Sequence, residues 1–137
     1  MAKARARAAG FLRRDGTVGQ HFYTPAKTAN WEAYAAGIML GARTANHPEA
    51  GPLKVTILAV FACPKNAAKR RPLLGRLWRV SRPDLDNVAK AVCDAGNAVL
   101  WLDDKQIVDL RVQKVIASTL ELPRVVVFVE AATPTCI

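Results

Sequence analysis

Six aspartates and no glutamate lie in RPDLDNVAKAVCDAGNAVLWLDDKQIVD, residues 82 to 109. Asp84 and Asp86 stand two apart, while Asp103 and Asp104 are adjacent. Short carboxylates gathered in this way suit Mg²⁺, a hard cation that commonly takes one or two carboxylates with waters and substrate phosphate. An ion so held activates water and stabilises the leaving oxygen in phosphodiester hydrolysis. Whether the chain after Pro83 is still extended or already helical, Asp84 and Asp86 stay close together. The competing reading is structural: one of them caps the helix, at about 1 kcal/mol. The second pair is distant in sequence but not necessarily in space. A helix of about ten residues advances ~15 Å, and an extended return of five or six residues covers ~17–20 Å. Chain length therefore permits Asp104 or Asp103 to arrive beside the helix start. Lys90 lies four residues from both Asp86 and Asp94. That spacing fits an ordinary salt-bridge ladder at ~0.2–0.5 kcal/mol per pair, and equally a lysine reaching for a scissile phosphate.

The acids sit in a basic chain. Twenty lysines and arginines against eleven acids give a formal net charge of +9. From Gly51 to Pro83 there are Lys54, Lys65, Lys69, Arg70, Arg71, Arg76, Arg79 and Arg82, and no acid. A run this one-sided, leading into the aspartates, points to nucleic acid rather than plain solvated surface. Lys69, Arg70, Arg71, Arg76, Arg79 and Arg82, with Lys3, Arg5 and Arg7 of the amino-terminal arm, are expected to grip phosphates without reading sequence. Trp78 has two readings, a platform for a base and an anchor of its loop on the core. A lone DxD is weak evidence. The phosphatase type with a nucleophilic aspartate places it directly after an apolar strand, and LWRVSRP is a poor fit. Sugar-nucleotide transferases need a longer nucleotide-binding domain.

These groups must be positioned by a small fold. At 137 residues, half of them apolar, the chain is expected to form one domain over residues 1–137 with a single core. Its longest largely apolar run, residues 55 to 63, is far short of the ~20 a spanning helix needs. The basic start does not read as a signal peptide, so cytoplasmic residence is the default, nucleoid-associated when on DNA. Cys63, Cys93 and Cys136 are odd in number and widely spaced, against a disulfide framework or structural zinc. Residues 1–23 read as a basic arm and hairpin turning at Asp15-Gly16. A helix through about Arg43 carries Trp31, Tyr34, Ala35, Ile38, Met39 and Ala42 as a core stripe. Residues 53–62 read as an interior strand, and 64–83 as a long basic loop contacting DNA. A helix over about Leu85–Asn97 buries Leu85, Val88, Ala89, Val92 and Ala95 and ends at Gly96-Asn97. AVLWL reads as an extended return, QIVDLRVQKVIA as a half-buried strand, and PRVVVFVE as the last strand. The class is α+β: a mixed β-sheet with two main helices packed on it.

PDLDN after a basic residue, then KAVCDA, WLDD, Q and VDLRV, resemble the RusA family of Holliday-junction resolvases over residues 82 to 115. YTPAKTANWEAY and LKVTILAVFACPK extend the likeness more weakly. The resemblance implies a homodimeric, Mg²⁺-dependent endonuclease making paired nicks across a four-way DNA junction, with Mn²⁺ as a substitute and no small-molecule cofactor. By motif position it makes Asp84, Asp86 and Asp104 the metal-binding carboxylates and Lys90 the essential lysine. Asp103 is the lesser candidate of its pair. Pro83 stands where some relatives carry arginine, which leaves Arg82 as the flanking cation.

Overall fold

The computed structural model describes residues 7–12, 18–23, 26–44, 49–66 and 74–134. Two short strands, β1 (Arg7–Leu12) and β2 (Val18–Tyr23), pair antiparallel as a sheet of their own. The expected Asp15-Gly16 turn between them lies outside the described residues. Helix α1 (Ala26–Ala42) follows, then the nine-residue strand β3 (Leu53–Phe61). The rest is β4 (Leu77–Trp78), helix α2 (Leu85–Gly96), a 3₁₀ turn (Asp104–Gln106), β5 (Ile107–Ile116) and β6 (Arg124–Ala131). These four strands form a mixed sheet in the order β4-β5-β3-β6.

β3 lies between β5 and β6, parallel to the first and antiparallel to the second. An interior strand touches side chains on both faces, which is why LKVTILAVF has so few polar residues. Leu53, Val55, Ile57 and Ala59 are buried against Val88 and Val92 of α2 and Leu100 and Trp101 beyond it. Val60, Val115 and Ala117 make a smaller cluster. Parallel strands need a crossover, and α2 supplies it between β3 and β5. Its apolar residues recur at helical spacing, and it buries Val88, Ala91, Val92, Cys93, Ala95 and Gly96.

Three expectations need correction. The stripe on α1 is only partly core: Trp31 and Met39 pack on it, but Tyr34 and Ile38 are exposed and line an open apolar groove beside β6. A helix at the rim of a four-stranded sheet has too little neighbouring surface to cover its whole apolar side. Leu85 is also exposed rather than part of the buried face of α2, because it opens the first turn before the helix reaches the sheet. AVLWL is a turn, not an extended piece. Ala98 takes a positive φ of 60°, and the chain curls so that Trp101 lies under the end of α2. Gly96 makes this possible, since a Cβ there would meet the Trp101 ring. Asn97 then accepts a hydrogen bond from the indole Nε1 at 2.9 Å.

Candidate active site

Asp84 occupies the N-cap of α2 with extended backbone, yet its side chain makes no capping hydrogen bond. Asp86 follows in the first turn, and both residues are exposed. Neither carboxylate has an ion-pair partner among the described residues. The positive end of the helix dipole favours negative charge here. The structural role of a cap is thus not exercised, and two hard oxygen donors face solvent side by side. Lys90 is exposed one turn further on. No ion pair joins it to Asp86 among the described residues, so that rung of the expected ladder is absent.

The loop before Asp84 is held from below. Lys114 of β5 donates from Nζ to the carbonyls of Ser81 at 2.9 Å and Pro83 at 2.7 Å. Arg79 donates from Nε and Nη2 to the carbonyl of Arg82, at 3.1 and 2.6 Å. Its backbone N–H reaches Lys114 O at 3.2 Å, and its guanidinium lies 4.4 Å from the centre of the Phe61 ring. Three successive carbonyls ahead of Asp84 therefore accept from cationic donors, each such bond stronger than a neutral one. Lys114 was missed in the sequence, although it carried a signal: it occupies an apolar position in the alternation Val108, Leu110, Val112.

The second acidic turn is built differently. Asp103 caps the 3₁₀ turn, its Oδ1 accepting from Lys105 N at 3.0 Å. That bond, with Lys105 nearby, holds its carboxyl below the usual range. Gln106 completes a capping box: Oε1 accepts from the N–H groups of Leu102 and Asp103, at 2.8 and 3.0 Å. Its Nε2 donates to Glu49 O and Gly51 O, both at 2.9 Å. One neutral amide thus ties the turn to the start of β3. Asp103 is occupied as a cap, and Asp104 is the exposed acid of the pair.

Asp104 is felt by Cys93. Burial foremost, and then the charges of Asp104 and Asp94, push that thiol up to about 11. Cys93 belongs to the second half of α2, about two turns beyond Asp86. The structure brings Asp84 and Asp86 together and sets Asp104 further along the helix. Among the described residues, no three His, Cys, Asp or Glu side chains stand close enough to hold one ion.

The basic segment divides. Arg76 pairs with Glu121 through Nε, at 3.0 and 3.1 Å, and through Nη2, and Arg124 Nη2 stands 2.7 Å from Glu121 Oε1. Between two guanidiniums, with the Arg76 hydrogen bond the main cause, the Glu121 carboxyl falls to about 2. Arg76 and Arg79 are therefore committed to the protein itself. Arg82 is exposed, and its carbonyl rather than its guanidinium makes the loop contact. Trp78 is 68% exposed on an edge strand, which leaves the base platform as the better of its two readings. Arg7 lies in β1. Lys3, Arg5, Lys69, Arg70 and Arg71 lie outside the described residues.

The chain matches the family described as Endodeoxyribonuclease RusA over residues 1–130. It is 32% identical over 124 residues to the Uncharacterized protein YqaN of Bacillus subtilis (strain 168), covering 85% of this chain and 81% of that protein. With a match of this extent, and with the acids of DLDN and WLDD set at the two ends of one helix, the chain belongs to the RusA family of endodeoxyribonucleases.

Proposed function

We propose that the protein is a homodimeric, divalent-metal-dependent resolvase that hydrolyses phosphodiesters at four-way DNA junctions in recombination and repair. One observation carries the reading: Asp84 and Asp86 are exposed and unpaired at the start of α2, on a loop whose carbonyls are pinned by Lys114 and Arg79. Carboxylates held this firmly without a protein partner have hard-ligand chemistry to spare. Mg²⁺ fits by donor type, because two carboxylates with water and phosphate oxygens complete its shell. Mn²⁺ suits the same donors.

Asp84, Asp86 and Asp104 would hold the metal, which supplies charge at the phosphate and an acidic bound water. Lys90, one turn from Asp86, stabilises negative charge developing on the phosphate. Arg82 beside the acids, with Lys69, Arg70, Arg71, Lys3, Arg5 and Arg7, draws DNA in by its backbone. Action on DNA also places the protein in the cytoplasm. No described helix is long and apolar enough to cross a membrane.

The test incubates a labelled four-way junction with protein over a range of Mg²⁺. The wild type is expected to cleave it, and Asp86→Asn to lose at least ~100-fold in rate while still binding the junction. Tight binding without cleavage by the wild type at every Mg²⁺ and Mn²⁺ level would instead leave a non-catalytic DNA-binding protein.

A further inference from the structure

We propose that each metal site is completed by a second copy of the chain, Asp84 and Asp86 of one subunit working with Asp104 of the partner subunit. This rests on the metal-dependent nuclease reading above. β3 and β5 are parallel, so the helix joining them runs back from their carboxyl ends to their amino ends. The start of α2 is tied to the carboxyl ends. Lys114, opposite Ala59 in the register, grips the carbonyls of Ser81 and Pro83, and Arg79 stacks on Phe61, the last residue of β3. Its finish is tied to the amino ends. Gly96 closes on Trp101, and Gln106 bonds the carbonyls of Glu49 and Gly51, just ahead of β3.

The separation this implies is large. Cys93, which feels the charge of Asp104, lies nine residues after Asp84, or ~13 Å along a helix rising 1.5 Å per residue. Mg²⁺ binds oxygen at ~2.1 Å, and short aspartate arms do not cover the rest. That no group of three potential ligands forms among the described residues of one chain agrees with this.

A two-fold axis reverses the separation. Two copies of α2 laid antiparallel set the start of each helix beside the finish of the other, because isologous contacts are reciprocal. The surface provides for such a meeting at both places. Leu85, between Asp84 and Asp86, is 42% exposed, and Leu102, just before Asp103, is 61% exposed. In the antiparallel arrangement these leucines cover each other beside each composite site, giving apolar contact where the acids alone would repel.

The deciding experiment makes a mixed dimer. Asp86→Asn and Asp104→Asn chains, carrying different tags, are co-expressed, and the heterodimer is isolated by sequential capture. Sharing across the axis gives this dimer one intact site and one doubly altered site. It is then expected to nick a junction on one strand at roughly half the wild-type rate per dimer. It is also expected to keep a Mg²⁺-induced rise in melting temperature that neither homodimeric variant shows. If the acids act within one chain, no site in the heterodimer is intact, and absence of both nicking and the Mg²⁺ response would overturn the proposal. A chain that stays monomeric throughout would overturn it equally. Wild-type protein that fails to cleave sinks the nuclease reading, while the melting measurement still decides whether a metal site is shared.

Discussion

The two turns that carry the acids are fixed by opposite means. The turn before Asp84 hangs on cations: Lys114 and Arg79 hold three carbonyls in its last residues. The turn around Asp104 hangs on neutral groups, with Gln106 making four hydrogen bonds and fully buried Trp101 behind it. The first arrangement places positive charge beneath a carboxylate pair, offsetting repulsion when no counter-ion is near. The second couples its turn to the core, so that its placement depends on packing rather than charge.

That contrast can be broken from either side. The largest effect on stability is expected from Gly96→Ala. The added Cβ would lie 2.3 Å from Trp101 Cζ2, and overpacking of this kind costs about 3 kcal/mol. Thermal melting should show the loss, and an unchanged melting temperature would mean that Trp101 does not anchor the second turn. Lys114→Met is expected to cost about 2 kcal/mol, from two charge-assisted hydrogen bonds left unmade. It should also move the Mg²⁺ midpoint for cleavage to higher concentration, and Lys114→Arg should restore part of both. A fall in stability with an unaltered midpoint would make Lys114 a structural residue alone.

The smallest effect is one of pH. The Glu121 carboxyl is depressed to about 2 by Arg76 and Arg124. The stability it contributes is present above the unfolded carboxylate range near ~4.3, and it is lost as pH falls from there through about 2. Glu121→Gln should thus be less stable than wild type at neutral pH, with the gap closing over that window. A gap that stays constant under acid would show that the pair contributes nothing by its charge.

What the chain discloses in advance follows from how local each feature is. α2 was legible because its apolar residues repeat at helical spacing and Gly96-Asn97 mark its end. β3 and β6 were legible because unbroken apolar runs admit little else. The DLDN and WLDD acids stood out by type and by resemblance. The turn over residues 98–100 was not legible, because its shape comes from the contact of Trp101 with Gly96, a matter of packing. Arg76 read as a phosphate ligand because its partner Glu121 lies 45 residues away. Lys114 carried a visible signal in its phase along β5, but only the fold shows that it reaches the carbonyls ahead of Asp84.

The central claim is that the exposed aspartates of these two turns serve one divalent ion. Melting wild type, Asp86→Asn and Asp104→Asn with and without Mg²⁺ tests it most directly. Mg²⁺ is predicted to raise the wild-type melting temperature by ligand linkage. Both variants should lose that rise, and Asp104→Asn should melt no lower than wild type in metal-free buffer. A full Mg²⁺ response in Asp104→Asn, or a lowered metal-free melting temperature, would contradict the account and leave Asp104 a structural residue of its turn.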